Sequence, residues 1–216
     1  MKYLLSIILL TAALLMVNSI SSTDRAAESP VMLTENVKKP DFNKTWDIVS
    51  RLEGGYQDIP SDLGNYNSDG KVAGTNHGIT PIAVMQHSGI IADSQYMASL
   101  SRHSAAEIAQ KLFWDPIHGD EFSDMGMALI FFDCFFAEGY TGLISAQRSA
   151  LRVIGSGIRP DEFLTMDEVL TINCYPMPGI IKAQITRRRL ADAMLKNSRF
   201  FPSWSNRIKA IYNEAK

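Results

Sequence analysis

The chain has 216 residues, of which 46% are hydrophobic and 20% charged, with 21 basic against 23 acidic side chains and a formal net charge of −2. This is ordinary globular usage with room for one or two compact units, and it excludes a disordered or low-complexity chain. The near balance of charge gives no whole-chain attraction to polyanions, which argues against nucleic acid as a partner.

The first segment stands apart from the rest. Met1 and Lys2 precede the uncharged run YLLSIILLTAALLMV, and the small polar run NSISST follows it. A short basic start, an apolar core and a small-residue exit make a secretory signal peptide, here 1–21. The core is shorter than the ~20 residues of a spanning helix, so no stable membrane span is expected once the signal is cleaved. The expected location is exported, periplasmic or secreted, with an uncleaved signal anchor as the rival reading. In the exported part only Cys134 and Cys174 remain; one disulfide is possible in an oxidising compartment, but a pair this far apart in sequence is neither a framework nor a metal motif. Residues 22–40 are polar, mixed in charge and carry Pro30 and Pro40, which reads as a linker or flexible arm.

The folded part begins at Asp41. Phe42, Trp46, Val49 and Leu52 recur at helical spacing with Asp41 as the cap, and Gly54 and Gly55 end the run. Residues 56–79 are rich in Gly, Asn, Asp and Ser and predict loop or a small hairpin. Thr80 and Pro81 open a helix that closes at Gly89. Ser104 and Glu107 form a capping-box pair ahead of Ile108 and Leu112, and Thr165 and Glu168 form another ahead of Val169 and Leu170. Between them, MGMALIFFDCFFA at 125–137 is apolar except for Asp133. A helix apolar all round belongs in the middle of a bundle, so Asp133 must be buried or at a cleft and must have hydrogen-bond partners. One or two further helices follow Pro178. The fold class is mainly α with a small loop or β-hairpin region after the first helix, and 41–120 and 121–216 are expected to pack as one globular unit.

Glu53 is the residue to which chemistry attaches. At the end of a helix the unpaired carbonyls and partial negative charge disfavour an ionised carboxylate, so such a residue can hold a proton. A protonated carboxylic acid in a cleft is what cleavage of a glycosidic bond requires as general acid, beside a second group that activates water or stabilises positive charge. Asp58 and Asp62 lie in the following loop and Thr75 and Thr80 beyond it, while Gly54 and Gly55 would let a bulky substrate approach. Taken singly, Asp58 and Asp62 also fit ordinary turn chemistry.

EGGYQDIPSDLGN at 53–65 and GTNHGIT at 74–80 together resemble the signature of glycoside hydrolase family 108, muramidases of bacteria and phages that cut peptidoglycan. SAAEIAQKLFW, FFDCFFAEG, AQRSAL and FFPSWSNR resemble its later helices, so the likeness spans most of 42–207. It implies a lysozyme-like helical bundle with a C-terminal region like the family's peptidoglycan-binding part. It also makes Glu53 the catalytic acid, with Asp62, eight residues intervening, and Thr75 as its partners. Gly54, Gly55, Tyr56, Asp58, His77 and Thr80 are the expected substrate-binding residues. The chain departs from the family pattern at Glu138 before Gly139, at 159–164 (RPDEFL) and at Ser203 before Trp204.

Other candidates carry less. Asn65, Asn67, Asp69 and Gly70 mimic half of a calcium loop, but its twelfth position is Asn76 instead of a bidentate Glu. The four histidines show no paired metal-ligand spacing. Arg187, Arg188 and Arg189 point ~100° apart on a helix and make no single basic face. Tyr56, Tyr66 and Trp114 suit sugar stacking, although Trp46 and Trp114 suit core packing equally. The expectation is therefore a monomeric N-acetylmuramidase with no cofactor and no metal, acting on peptidoglycan glycan strands. Its alternatives are a non-catalytic cell-wall binding or morphogenetic protein on the same fold, and a lytic transglycosylase.

Overall fold

Asp41 caps the first helix as its position predicts. In the computed structural model, which describes residues 39–160, 163–196 and 200–216, its Oδ1 accepts from the backbone N–H of Asn43 at 2.9 Å and of Lys44 at 3.4 Å. The helix α1 (Phe42–Ser50) buries Phe42, Thr45, Trp46 and Val49. It stops at Ser50 with Arg51 as its cap, so Leu52 and Glu53 lie beyond the helix instead of in its last turn. The predicted signal peptide and most of the predicted arm lie outside the described residues.

Residues 56–79 hold no strand among the described residues. Three isolated antiparallel bridges, Gln57 with Thr75, Tyr66 with Val72 and Asn76 with Ile79, fold the loop back on itself. Buried asparagines fasten it. Asn67 donates to the Ala92 carbonyl at 3.0 Å and accepts from the N–H groups of Asp69 and Lys71, and Asn76 donates to the Met97 carbonyl at 2.9 Å. The asparagines that mimic a calcium loop thus serve as backbone substitutes that satisfy buried carbonyls.

Helix α2 (Pro81–Ser88) starts on Thr80, whose hydroxyl accepts from the N–H of Ala83, and ends on Gly89 at φ 74°. A short α3 (Ser94–Ser99) leads to α4 (Arg102–Ala109), which continues through a π-helical turn at Gln110–Trp114. The cap of α4 is Ser101, not Ser104: Ser101 Oγ accepts from the Ser104 N–H, and the box partner Glu107 faces solvent beside His103. Any Ser with a Glu three residues on satisfies the capping pattern, and here the helix begins one turn earlier. Helices α6 (Met166–Asn173), α7 (Pro178–Lys196) and α8 (Phe201–Glu214) complete the chain, and Thr165 with Glu168 does form the predicted capping box.

Helices α1, α6, α7 and α8 and the π-helical turn pack against α5 (Met125–Ile154), in which every residue from Gly126 to Phe135 is buried. By length and composition α5 could cross a membrane, but its apolar surface is met by the other helices. Phe131, Phe132 and Trp114 are fully buried, with Phe42 edge-on to Trp114 at 5.7 Å and to Phe132 at 6.0 Å. Trp46 and Trp114 are therefore core residues. Burying a large apolar side chain contributes about 1.5–3 kcal/mol each, and this aromatic layer joins α1, the π turn and α5. At Gly139 the backbone takes φ 62° and ψ −155°, which breaks α5 into two segments just after Glu138. Only glycine visits such a conformation at low cost. The mainly α, lysozyme-like expectation is thus borne out.

Cys134 lies in this core and Cys174 on the surface, both as free thiols. Burial pushes the Cys134 thiol up from 9.0 to about 12, with Arg189 opposing and nearby carboxylates adding to the shift. The folded state therefore holds that proton more tightly, and the stabilisation is complete below pH 9 and lost as pH rises towards about 12. At pH 8 a disulfide exchange reagent should titrate one thiol in the native protein and both in denaturant. Two fast native thiols would contradict the packing.

Candidate active site

The tip of the loop after α1 is a two-residue turn. His77 at φ 52° and Gly78 at φ 77° are flanked by reciprocal backbone hydrogen bonds between Asn76 and Ile79 of 3.1 and 2.9 Å. A type I′ hairpin turn needs positive φ at both central residues, which favours glycine and admits few other residues, histidine among them. The turn places Gly78 against Glu53. A Cβ there would lie 2.9 Å from the Glu53 side chain and 2.8 Å from the Phe136 ring. Gly54 and Gly55, by contrast, face open space, so the glycine that makes room at Glu53 comes from 25 residues beyond it in the sequence. A Gly78→Ala variant combines a strained φ with a clash against Glu53. It should lower hydrolytic activity more than it lowers Tm, as read by assay beside a thermal melt.

Glu53 stands on the wall of a cleft of about 430 Å³. On its loop side the cleft is lined by Leu52, Gln57, Asp62, Gly64, Thr75, Gly78 and Thr80, and on its helical side by Phe136 and Ala137 of α5 and Ser203, Trp204 and Arg207 of α8. Of the residues expected from sequence, Glu53, Asp62, Thr75 and Thr80 are brought together here. Gly54, Gly55, Tyr56, Asp58 and His77 do not line the cleft. Tyr56 packs its ring on Gly74 and donates its hydroxyl to the Ala73 carbonyl at 3.2 Å, and Asp58 is exposed in the outer loop. Burial, followed by the Asp58 charge, raises the Tyr56 phenol above its ordinary value, so it remains a neutral donor.

Asp62 is fixed at the start of a short 3₁₀ turn (Leu63–Asn65), where its Oδ1 accepts from the Gly64 N–H at 2.9 Å. Its Oδ2 accepts from Gln57 Nε2 at 3.3 Å. Gln57 is in turn clasped by the buried Asn65, amide to amide, at 3.2 Å in both directions. Thr75 pairs its backbone with Gln57 and directs its hydroxyl to the Gly64 carbonyl at 3.4 Å. The Thr80 hydroxyl accepts from the α2 N-terminus. Sequence reading missed Gln57 because a lone glutamine in a loop carries no spacing signal.

The carboxylate itself is held from the far end of the chain. Arg207 Nη1 lies 2.7 Å from Glu53 Oε1, with the two side chains 15% and 18% exposed. The same guanidinium binds Asp133 Oδ1 through Nη2 at 2.7 Å and Nε at 3.2 Å. Asp133, fully buried, faces a second cation: Arg189 Nη2 approaches Oδ2 at 2.8 Å, as an ion pair whose angle falls short of a hydrogen bond. Arg189 Nε then reaches Glu138 Oε1 at 2.6 Å. The result is a chain of alternating charge, Glu53, Arg207, Asp133, Arg189, Glu138, strung from the cleft into the core. Burial alone would lower the Arg207 guanidinium, but Asp133 and Glu53 outweigh it and raise it above its ordinary value. Of the arginine run, Arg187 and Arg188 are exposed and only Arg189 is buried. Asp133 has the burial and the partners its sequence context demands. Glu53 faces a guanidinium and not the terminal carbonyls of α1, because that helix has already ended.

No group of three or more His, Cys, Asp or Glu side chains placed to hold a metal occurs among the described residues. The glycosidic chemistry available here is that of carboxylates, an amide and hydroxyls on one wall of a cleft with an indole on the other.

This geometry agrees with what the chain is similar to. The family model for Glycosyl hydrolase 108 matches residues 46–139. Among solved structures, Brucella abortus SagA superposes with a TM-score of 0.65 at 23% identity, over 81% of this chain and 92% of that one, which shows a shared fold. No curated protein gives a significant match. Residues 46–139, which hold Glu53, Asp62, Thr75 and Gly78, match the glycosyl hydrolase 108 family, which supports a glycoside hydrolase on a lysozyme-like helical fold.

Proposed function

We propose that the protein is an exported peptidoglycan hydrolase that cleaves the bond between N-acetylmuramic acid and N-acetylglucosamine, with Glu53 as general acid. The observation that carries this reading is the placement of Glu53 on a cleft wall with Asp62 and Thr75 on the same loop side. Arg207 takes Glu53 Oε1, and Oε2 has no other protein partner among the described residues. Oε2 is therefore the oxygen left to exchange a proton with the glycosidic oxygen. Asp62, steadied by Gly64 and Gln57, assists an attacking water or the oxocarbenium-like centre, and Thr75 helps to orient that water. Positioning and acid catalysis supply the rate without a cofactor.

The test is loss of turbidity of purified sacculi with the mature protein, followed by mass spectrometry of the products. Reducing muramic acid ends support the proposal. Anhydro-muropeptides would reassign the protein as a lytic transglycosylase, and binding to sacculi without any release would reassign it as a wall-binding protein.

A further inference from the structure

A second cavity, of about 360 Å³, adjoins the cleft and shares Ala137 and Trp204 with it. Its remaining lining is Glu138 and Thr141 at the break in α5, Arg189, Asp192 and Ala193 of α7, and Ile208 of α8. Nothing in the hydrolytic chemistry above uses it. Two carboxylates reach into it, since the side chains of Glu138 and Asp192 are 24% and 19% exposed. The one cation in its lining, Arg189, is 3% exposed and already engaged by Asp133 and Glu138. Arg188 holds Asp192 Oδ2 at 3.1 Å from an outward position, which leaves Oδ1 without a protein partner among the described residues. In the lining itself two carboxylates, Glu138 and Asp192, stand against one guanidinium, Arg189, whose charge the buried Asp133 shares. The cavity therefore carries surplus negative charge between apolar walls of Ala137, Ala193, Ile208 and the Trp204 indole.

That combination suits an aliphatic chain ending in an ammonium group. The methylenes find apolar walls, and the ammonium finds carboxylates for charge-assisted hydrogen bonds and an indole nearby. An anionic group would meet like charge, and a neutral sugar would leave the surplus uncompensated. We infer that this cavity binds the peptide branch of the substrate, by the side chain of a diamino acid, while the glycan occupies the adjoining cleft. The inference rests on the peptidoglycan reading above, because a branch leaving a glycan in the cleft passes the shared wall of Ala137 and Trp204.

Titration of the full-length protein with a free stem tetrapeptide that contains a diamino acid tests this without hydrolysis. Trp46 and Trp114 are buried, so a change in indole fluorescence reports Trp204. Saturable binding is expected, weakened about tenfold or more when the side-chain amine is acetylated or when Asp192→Asn removes a charge-assisted bond. In parallel, the ratio of kcat/KM on intact strands to that on strands stripped of peptide should exceed one, and should fall towards one in Asp192→Asn and in the cavity-filling Ala193→Leu. Equal binding of free and acetylated peptides, or no binding, overturns the inference. Hydrolysis without discrimination between intact and stripped strands overturns it while leaving the muramidase reading in place. Amine-dependent peptide binding with no hydrolysis of either substrate supports the cavity assignment and removes the muramidase reading.

Discussion

Glu53→Gln is expected to lower hydrolysis of purified sacculi by about 10²–10⁴-fold, the range over which a positioned general acid acts, with circular dichroism unchanged. The amide keeps the shape of the side chain and still offers an oxygen to Arg207, but it cannot give a proton to the leaving oxygen. Because Arg207 also binds Asp133 through two further nitrogens, its position does not depend on Glu53 alone, so the cleft should survive the exchange. Asp62→Asn is the informative companion: a smaller loss there, with the same products, would assign Asp62 to water activation or charge stabilisation. Equal activity of Glu53→Gln and the parent protein would remove Glu53 from catalysis.

The second large effect is on stability. Asp133 is fully buried between Arg207 and Arg189, and each of those cations is held above its ordinary range against the cost of burial, Arg189 by Cys134, Asp133 and Glu138 and Arg207 by Asp133 and Glu53. Asp133→Asn leaves two guanidiniums in the core with less compensation. Breaking a buried ion pair from one side costs about 3–5 kcal/mol, which for a domain of this size lowers Tm by roughly 6–20 °C. The double replacement of Asp133 and Arg189 by similarly sized apolar residues should recover part of that loss, since the penalty comes from the unpaired charge. A thermal melt of the three proteins decides it, and an Asp133→Asn variant as stable as the parent would show that the network contributes nothing. Activity should fall with Asp133→Asn even below the melting range, because the hold on Arg207, and through it on Glu53, is loosened.

Local features were legible in the sequence because local physics makes them. The Asp41 cap, the Thr80 and Pro81 start with its Gly89 stop, and the Thr165 and Glu168 box each need only three or four consecutive residues. The apolar run around Asp133 announced a central helix and a buried acid that must be paired. Where the sequence misled, several positions satisfied one local rule: Ser104 with Glu107 has the spacing of a box, yet the helix starts at Ser101. Gly54 and Gly55 face open space as expected, but the glycine in contact with Glu53 is supplied by the turn formed by His77 and Gly78. The pair of positive φ values at that turn was present as NHGI, but histidine at such a position hides the hairpin signal.

What the sequence by itself determined is therefore the mainly α class, the capped helices and the loop that follows the first of them, and it supplied the expectation that Glu53 is the acid. The tertiary structure alone decided which groups stand beside Glu53. Arg207 lies in the last helix, Asp133 in the central one, Gly78 in a distant turn and Trp204 across the cleft, and no periodicity relates them. Their meeting follows from helix packing and from the need of buried charges to find opposite partners, which a linear reading does not encode.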